Sequence, residues 1–253
     1  MAEQKQPLVT VVMPAYNAEA YVEKAIRSVI HQTYSNWELV VVDDRSTDGT
    51  YEIIQRVAAE DRRIKAYRNE QNMGVARSRN FGILQGEGKY VAFLDSDDVW
   101  LDEKLEQQIA LAEKSKAGIT YCSYAIIDAA GSKAKEDYIV PEKTDFEHML
   151  RENVIACSAM VVRSDILKKI KFNTEFYHED FVLALDILQA GYTAAGCKPV
   201  LLNWRYLDHS RSFNKKRSAC NRWRVYRNYL KLPLLKSINV FLHYAMAGWK
   251  KYR

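Results

Sequence analysis

The chain has 253 residues, of which 48 % are hydrophobic and 27 % are charged. This balance is ordinary for a globular protein and excludes a disordered chain. The formal charge of +5 is unevenly distributed, because residues 205–253 contain thirteen Lys and Arg against one acid and carry +12, whereas residues 1–204 carry −7. The basic end predicts an anionic partner. No nucleic-acid-binding module accompanies this charge, so a membrane surface or a phosphorylated ligand is favoured over nucleic acid.

The sequence also indicates a compartment. Four cysteines lie far apart without the spacing of a zinc site, which is typical of reduced thiols in the cytosol. The first residues lack the cationic stretch and apolar core of a signal peptide. The most apolar later segment, 238–249, is shorter than the roughly 20 residues that a spanning helix needs. We therefore expect a cytoplasmic protein that lies on a membrane without crossing it.

Residues 8–115 alternate between strand and helix patterns. The predicted strands are 8–13, 37–44, 64–69 and 90–95, and the predicted helices are 19–32, 51–60, the end of 72–85, and 103–114. Strands that alternate with helices of about ten residues form parallel βαβ units with helices on both faces of the sheet. The predicted fold class is therefore α/β.

The second half of the chain has a mixed pattern. The predicted strands are 118–128, 135–140 and 157–163, and the predicted helices are 145–153, 164–170 and 178–192. From Asn203 onward the sequence becomes basic and aromatic, with helical stretches on either side of Pro233. This composition distinguishes the C-terminal segment from the α/β region before it.

An acidic cluster follows the predicted strand 90–95, in the stretch FLDSDDVW. If the strand continued, Asp95 and Asp97 would point to one side and Ser96 and Asp98 to the other. Two carboxylates on one side can hold Mg²⁺ together with the oxygens of a substrate phosphate. The alternative is an acidic turn that caps the helix beginning near Asp102.

Three polar clusters follow predicted strands: 14–17, 43–48 and 95–98. In open sheets of this class, ligands bind beyond the carboxyl ends of the strands. The three clusters are therefore expected to converge on one crevice.

Four segments resemble blocks of the family 2 glycosyltransferases, which have the GT-A fold. They are residues 9–50, 72–83, 93–100 and 178–188, in the family's order and within a resemblance that covers about residues 8–210. The resemblance implies a Rossmann-like, mixed and mostly parallel sheet flanked by helices. It implies a GT-A catalytic domain over 1–210, with a nucleotide-binding half over 1–115 and an acceptor-binding half over 116–210. Residues 211–253 would form a basic, aromatic helical extension.

The resemblance also implies an activity. Such enzymes are inverting, metal-dependent glycosyltransferases, and basic tails of this type resemble those of bacterial enzymes that build O-antigen, lipopolysaccharide or capsule. The expected reaction moves a single sugar from a nucleotide-diphosphate sugar, with UDP as the expected nucleotide, to a saccharide acceptor that is lipid-linked. Trp204 and Arg205 stand where processive synthases carry a QxxRW motif, but the Gln is absent here. Its absence favours the addition of one sugar over polymerisation.

By resemblance, the donor-binding residues are Pro14, Ala15, Tyr16, Asn17, Asp43, Asp44, Arg77, Arg79, Asp95 and Ser96. Tyr16 would pack on the base, and Asp44 would accept a hydrogen bond from it, with Asp43 alongside. Arg77 and Arg79 would contact phosphate or base. From the residues alone, 43–48 is equally an ordinary turn, and the two arginines are equally solvated helix positions.

Metal and catalytic roles are likewise implied by the resemblance. Asp95 and Asp97 would hold Mn²⁺ or Mg²⁺, with His209 as a third ligand or a diphosphate contact, although a lone histidine is often structural. Asp180 would be the general base and Glu179 its partner. Alternatively, these acids simply favour a helix N-terminus. Asp98 would orient the sugar or cap the next helix.

The basic segment 211–253 offers two interpretations. Aromatic and apolar residues interleaved with arginines predict an interfacial helix on the anionic inner face of the cytoplasmic membrane; these are Trp223, Tyr226, Tyr229 and Leu230. Alternatively, these side chains pack on the catalytic domain or on a second subunit, which leaves a homodimer open.

Two other enzyme classes compete for the acidic motif. In a phosphohydrolase of the haloacid-dehalogenase type, Asp95 would be the nucleophile and Asp97 the acid/base. That family opens with this motif, whereas about 90 residues precede it here. A nucleotidyltransferase would carry a glycine-rich loop after the first strand, and MPAYNAEA contains no glycine.

Overall fold

The structure, a computed structural model, describes the backbone of residues 6–207 and 215–252 and the side chains of 6–207 and 216–246. The strands are β1 (Val9–Ala15), β2 (Trp37–Asp43), β3 (Ile64–Arg68), β4 (Tyr90–Phe93), β5 (Val99–Trp100), β6 (Ile119–Ile127), β7 (Lys133–Tyr138), β8 (Lys143–Thr144), β9 (Val161–Arg163) and β10 (Ala194–Arg205). The α-helices are α1 (Val22–Ile30), α2 (Thr50–Ala58), α3 (Val75–Gln85), α4 (Lys104–Ser115), α5 (Phe146–Arg151), α6 (Ser164–Leu167), α7 (Glu179–Gln189), α8 (Lys215–Arg224) and α9 (Leu234–Tyr252). A 3-10 turn spans Cys157–Ala159 and a π-helical turn spans Val225–Tyr229.

Within the described residues the strands form one mixed sheet. Its main path runs β3-β2-β1-β4-β9-β6-β10-β5, with β7 beside β6 and β8 beside β10. The first four strands are parallel, β9 is antiparallel to both of its neighbours, and β6 and β10 are again parallel. The predicted mixed, mostly parallel sheet flanked by helices is confirmed.

The central strands are apolar because both faces of the sheet are covered. Every residue of β1 and β2 is buried, as expected for parallel strands between two helical layers. Helix α1 places Val22, Ile26 and Val29 at helical spacing against this sheet, and all three are fully buried. The apolar pattern of the sequence therefore determines this half of the fold.

The predicted strand 157–163 is shorter in the structure. Cys157–Ala159 forms a 3-10 turn, and only Val161–Arg163 pairs with neighbouring strands. Side chains from other elements bind the carbonyls of this turn: the Trp100 indole donates to the Ser158 oxygen and the Gln108 amide to the Ala159 oxygen, each at 2.9 Å. These side-chain bonds replace a strand ladder at this position.

The C-terminal segment packs on the body of the protein. Tyr226 is fully buried in the cluster that contains Phe181, and its hydroxyl donates to the Leu150 carbonyl at 2.5 Å. The Tyr229 hydroxyl donates to Asp186 of α7 at 2.8 Å. Trp223 meets Phe241 edge-on, with ring centroids 5.6 Å apart. The prediction that these aromatic side chains form the membrane-facing side of a helix is therefore wrong, and the packing alternative describes them.

Leu230 also packs, partly buried, against the same cluster.

Strands from both predicted halves of the catalytic domain share one sheet, while the division at residues 115 and 210 stays a prediction. Among the described residues, no helix is both long enough and apolar enough to cross a bilayer.

Candidate functional site

A cavity of about 1380 Å³ lies beyond the carboxyl ends of β1, β2 and β4. As the sequence predicts, all three polar clusters contribute to its wall, through 14–17, Asp44 and 95–97. Residues 178–180 line it from the start of α7, and the C-terminal helices complete it. The C-terminal contributors are Ser218, Ala219, Arg222, Phe241, Tyr244 and Ala245.

The loops after β1 and β2 are tied to each other at one side of the cavity. Asn17 has a φ of 48°, a left-handed conformation that Asn tolerates better than most residues. Its side-chain oxygen accepts from the Thr47 amide at 2.9 Å, and its own amide donates to the Ser46 hydroxyl at 3.0 Å. Beside it, Tyr16 is 49 % exposed. The predicted base-stacking residue therefore sits on a fixed loop with its ring accessible to a ligand.

Asp44 organises the loop that leads into α3. Its carboxylate accepts from the Asn69 amide group at 2.7 Å, the Met73 backbone amide at 2.8 Å and the Gly74 backbone amide at 2.7 Å. Gly74 has a φ of 85°, a conformation that favours glycine. Asp44 lines the cavity, and its predicted contact with a base stays a prediction.

Asp43 occupies a different environment from Asp44. Its carboxylate is fully buried, pairs with Arg68 at 3.0 Å and accepts from the Ser46 amide. It is not among the residues that line the cavity. The structure thus gives Asp43 a role in holding the turn after β2, behind the surface where a donor would bind.

Arg79 joins the two halves of the site. Its guanidinium donates to Asp95 at 2.5 Å and to Glu179 at 2.6 Å, and its side chain is only 4 % exposed. The solvated-helix alternative is therefore wrong for Arg79, whereas Arg77 is exposed on the cavity wall. Because Arg79 is bonded to both acids, it fixes the end of β4 relative to the start of α7.

The acidic motif forms a turn rather than an extended strand. Strand β4 ends at Phe93, and the Asp98 amide donates to the Asp95 carbonyl at 3.1 Å. Strand alternation thus fails here, although Asp95, Ser96 and Asp97 all line the cavity. The Asp98 side chain is buried and accepts from the Arg205 backbone amide at 2.7 Å. It neither lines the cavity nor caps α4, so the structure supports neither role predicted for it.

Arg205 is the residue that fixes this turn. Its Nε donates to the Asp97 carbonyl at 2.7 Å, and its Nη1 donates to the carbonyls of Asp128 and Ala129 at 2.7 and 3.1 Å. The guanidinium also lies over the Tyr21 ring, 4.7 Å from its centroid. Arg205 therefore holds the acidic loop in shape through the Asp97 carbonyl and ties it to the loop after β6.

The Asp95–Asp97 pair has the chemistry of a cation site. Burial, together with the charge of Asp95, raises the pKa of Asp97 to about 6, so the two carboxylates repel in the absence of a cation. Within the described ranges, no three His, Cys, Asp or Glu side chains are grouped to enclose a metal. Two carboxylates completed by phosphate oxygens are a normal arrangement for a hard divalent cation. The residues present therefore fit Mn²⁺ or Mg²⁺. The predicted third ligand, His209, lies outside the described residues.

The two predicted catalytic acids differ in their surroundings. Glu179 is buried and bound to Arg79. Asp180 is partly exposed, lines the cavity, and makes no hydrogen bond or ion pair with the residues whose side chains are described. Of the pair, Asp180 is the carboxylate that is available to a substrate.

Sequence reasoning missed one group in this cavity. The predicted interfacial helix includes Arg222 among its arginines, yet this side chain is buried in the cavity wall against Phe181. Its neighbours in sequence are basic and aromatic, so no local pattern distinguished it from the exposed arginines. Only the packing of α8 against α7 separates them.

The mixed sheet, the acidic turn after β4 and the carboxylate at the start of α7 together have the arrangement of the GT-A fold. Residues 10–171 match the family model described as glycosyl transferase family 2. The chain is 35 % identical over 248 residues to the Escherichia coli UDP-Glc:alpha-D-GlcNAc-diphosphoundecaprenol beta-1,3-glucosyltransferase WfgD, covering 97 % of this chain and 95 % of that protein. The chain belongs to glycosyl transferase family 2.

Solved structures agree with this fold. Staphylococcus aureus TarS 1–349 in complex with UDP-GlcNAc superposes with a TM-score of 0.75 at 19 % identity, covering 94 % of this chain and 71 % of that one. The mannosyltransferase PcManGT from Pyrobaculum calidifontis, in complex with GDP-Man and Mn²⁺, gives a TM-score of 0.74 at 18 % identity, covering 96 % and 70 %. At these identities the likeness establishes the fold alone. The family assignment rules out the phosphohydrolase alternative.

The raised pKa of Asp97 predicts a pH-dependent stability. Between pH 4 and 6 the folded protein holds a proton on Asp97 that the unfolded chain, with a pKa near 3.8, releases. The Asp97 carboxyl therefore lowers the free energy of unfolding as pH rises through this window, and its contribution is constant above about 6. We expect Asp97→Asn, unfolded by urea in the presence of a chelator, to be about 1–3 kcal/mol more stable than wild type at pH 7.

The gain should already be smaller at pH 4 and should approach zero below about pH 3, where Asp97 is protonated in both states. Asp102→Asn, an exposed acid on the same segment, is the matched control and should leave stability unchanged. A gain for Asp97→Asn that is the same at pH 4 and pH 7 would contradict the assignment of this titration.

Proposed function

We propose that the protein is an inverting glycosyltransferase that moves one sugar from a UDP-sugar to a hydroxyl of a lipid-diphosphate-linked saccharide. Family 2 membership supports nucleotide-sugar chemistry, and the E. coli relative is named for transfer from UDP-Glc to a diphosphoundecaprenol-linked acceptor. The proposed setting is bacterial surface polysaccharide synthesis at the cytoplasmic face of the membrane.

The observation that carries the proposal is the Asp180 carboxylate, which lies in the same cavity as the acidic turn and makes no hydrogen bond or ion pair with the residues whose side chains are described. A general base must reach the acceptor hydroxyl while the leaving group departs on the other side of the anomeric carbon. In the proposed step, Asp180 takes the hydroxyl proton and the acceptor oxygen bonds to the anomeric carbon. The bond from that carbon to the diphosphate breaks, and the nucleoside diphosphate leaves with the electron pair.

Glu179 and Arg79 position this base. Because Arg79 holds Glu179, the neighbouring residue Asp180 is fixed at the first turn of α7. The Asp180 carboxylate itself makes no hydrogen bond with the residues whose side chains are described. Arg79 also holds Asp95, so the distance between the base and the donor side is set by one buried side chain. This arrangement supports a single geometry for attack.

On the donor side, 14–17 and Asp44 would hold the nucleotide, and Arg77 its phosphates. Asp95 and Asp97 would bind a divalent cation, which, when present, neutralises charge on the leaving diphosphate. The neighbours TarS and PcManGT are seen with UDP-GlcNAc and with GDP-Man and Mn²⁺, respectively. These complexes support a nucleotide-sugar donor and a divalent cation for this chain.

Membrane contact is proposed through the outer face of α9, defined as Leu234, Leu235, Ile238, Leu242 and Met246. These side chains lie on one side of the helix and are exposed, with Leu235 82 % and Leu242 57 % accessible. The surrounding segment 205–253 carries +12, which complements an anionic leaflet. The chemistry of this face therefore favours a lipid surface over a second protein copy.

A panel of nucleotide sugars tests the reaction. With a saccharide-diphosphate-lipid acceptor and Mn²⁺, we expect release of UDP that depends on both the acceptor and the metal, measured by chromatography of the nucleotides. A chelator should abolish this release, and excess Mn²⁺ should restore it. Acceptor-dependent turnover that persists undiminished in the chelator would refute the metal assignment.

Asp180 and Asp97 should fail in different ways. We expect Asp180→Asn to bind donor nearly as wild type but to lose transfer by about 10²–10⁴-fold, because a positioned general base contributes that much. Asp97→Ala should instead lose the Mn²⁺-dependent part of UDP binding, measured by calorimetry. Glu175→Gln, an exposed acid close to α7 and outside the cavity, is the control. Wild-type turnover by Asp180→Asn would rule out Asp180 as the base.

The outer face of α9 can be tested without removing the helix. We expect Leu235→Gln/Ile238→Gln/Leu242→Gln to bind anionic phosphatidylglycerol vesicles ~10-fold or more weakly, measured by sedimentation. The reason is that three apolar side chains that would enter the lipid are lost. Leu84→Gln/Ile139→Gln changes exposed apolar residues elsewhere and serves as the control. Unchanged vesicle binding would refute this face, and a variant that instead converts a dimer to a monomer in gel filtration would assign it to a second copy.

A further inference from the structure

Arg222 is a buried cation in the wall of the cavity. It is 4 % exposed, and its guanidinium carbon lies 3.4 Å from the ring centroid of Phe181 and 4.5 Å from that of Tyr244. Both the helix that carries the predicted base and α9 therefore contact it. The two rings hold the guanidinium in place by cation–π contact.

No acid neutralises this charge among the described residues. Arg222 has a polar contact with the Tyr226 hydroxyl, but its Nε and Nη1 atoms are buried without a hydrogen-bond partner. The other buried arginines of the cavity differ, since Arg79 pairs with two carboxylates and Arg205 with three carbonyls. A buried charge with unpaired donors is unfavourable unless a ligand supplies the missing acceptor. The geometry therefore indicates an anion site.

The position of Arg222 favours an anion on the acceptor. The predicted donor residues lie on the loops after β1, β2 and β4, whereas Arg222 lies on α8. Its guanidinium contacts Phe181, the residue that directly follows the predicted base Asp180. Tyr244 presents one side of α9 to Arg222, and the exposed apolar side of the same helix is its outer face. An anionic group bound here would lie between a saccharide in the cavity and a lipid outside it.

We propose that Arg222 binds the diphosphate that joins the acceptor saccharide to its lipid. This assignment rests on the proposed function, which supplies such an acceptor. The unbonded Nε and Nη1 would donate charge-assisted hydrogen bonds to phosphate oxygens. Arg222 is thus a binding residue that selects diphosphate-linked acceptors and anchors them beside Asp180.

Binding of a sugar-free probe tests the site directly. Undecyl diphosphate is titrated into the full chain with saturating UDP and Mn²⁺, so that the donor site is filled, with undecanol as the control for the chain alone. We expect Arg222→Gln to weaken undecyl diphosphate binding by about 10- to 100-fold, the range for lost charge-assisted hydrogen bonds. The affinity of Arg222→Lys for undecyl diphosphate should lie between those of wild type and Arg222→Gln. Arg224→Gln removes an exposed arginine from the same helix and should bind as wild type.

The donor diphosphate is the other source of this chemistry, and UDP affinity distinguishes it. Unchanged UDP affinity in the Arg222 variants supports the acceptor assignment, whereas weaker UDP binding with normal undecyl diphosphate binding overturns it. Equal undecyl diphosphate binding by wild type and variants also overturns it. Melting temperatures verify folding, and Arg222→Lys carries the comparison if Arg222→Gln does not fold.

Transfer assays separate this inference from the proposed function. An acceptor saccharide on a neutral undecyl chain is compared with its diphosphate-linked form. The wild-type preference in kcat/KM for the diphosphate-linked form should fall by about 10- to 100-fold in Arg222→Gln. A wild-type enzyme that transfers sugar to neither acceptor contradicts the proposed function. A wild-type enzyme that uses both, with variants that lose both equally, contradicts only the role of Arg222.

Discussion

One buried cation, Arg79, holds the two sides of the cavity together. It is bonded at once to Asp95 after β4 and to Glu179 at the start of α7, residues far apart in the sequence. Arg79 and Glu179 are buried and Asp95 is partly exposed, so the guanidinium is tolerated in the interior because two carboxylates neutralise it. The free carboxylate of Asp180 and the cation site at Asp95 therefore keep a fixed relation that neither loop would maintain alone.

Three of the described arginines are buried in the wall of this cavity, and each is satisfied differently. Arg79 is held by carboxylates, and Arg205 is held by backbone oxygens of the acidic turn and of the loop after β6. Arg222 is held by aromatic rings, and its Nε and Nη1 donors have no hydrogen-bond partner among the described residues. The first two are complete within the protein and serve its shape. The third is incomplete, which is why it is the one assigned to a ligand.

The sequence predicted the sheet and the convergence of the three polar clusters well, for a physical reason. Apolar runs such as Val9–Ala15 are buried on both faces, so their composition alone indicates central strands, and parallel strands bring their carboxyl ends to one edge. The resemblance then predicted roles for individual side chains at that edge. Tyr16, Asp44, Asp97 and Asp180 all line the cavity, and their roles stay predictions.

What the sequence could not predict depends on tertiary partners. Asp98 differs from Asp97 only because the Arg205 amide from β10 reaches it, and the turn at Cys157 exists because Trp100 and Gln108 supply its hydrogen bonds. Tyr226 and Arg222 carry the pattern of an interfacial helix, yet α7 and α5 offer them a place to pack. The hydrophobic periodicity and the charge of a segment indicate which faces of a helix are apolar or basic. They do not indicate which neighbouring element will cover each face.

The way α8 and α9 complete the cavity changes how this chain can be handled in the laboratory. The basic segment resembles a detachable anchor, and shortening the gene before residue 218 to improve expression would be a natural choice. Such a shortened protein would lose Arg222, Phe241 and Tyr244 from the cavity and uncover Phe181 beside Asp180. Its failure to turn over substrate would then report an unfinished pocket rather than a lost tether.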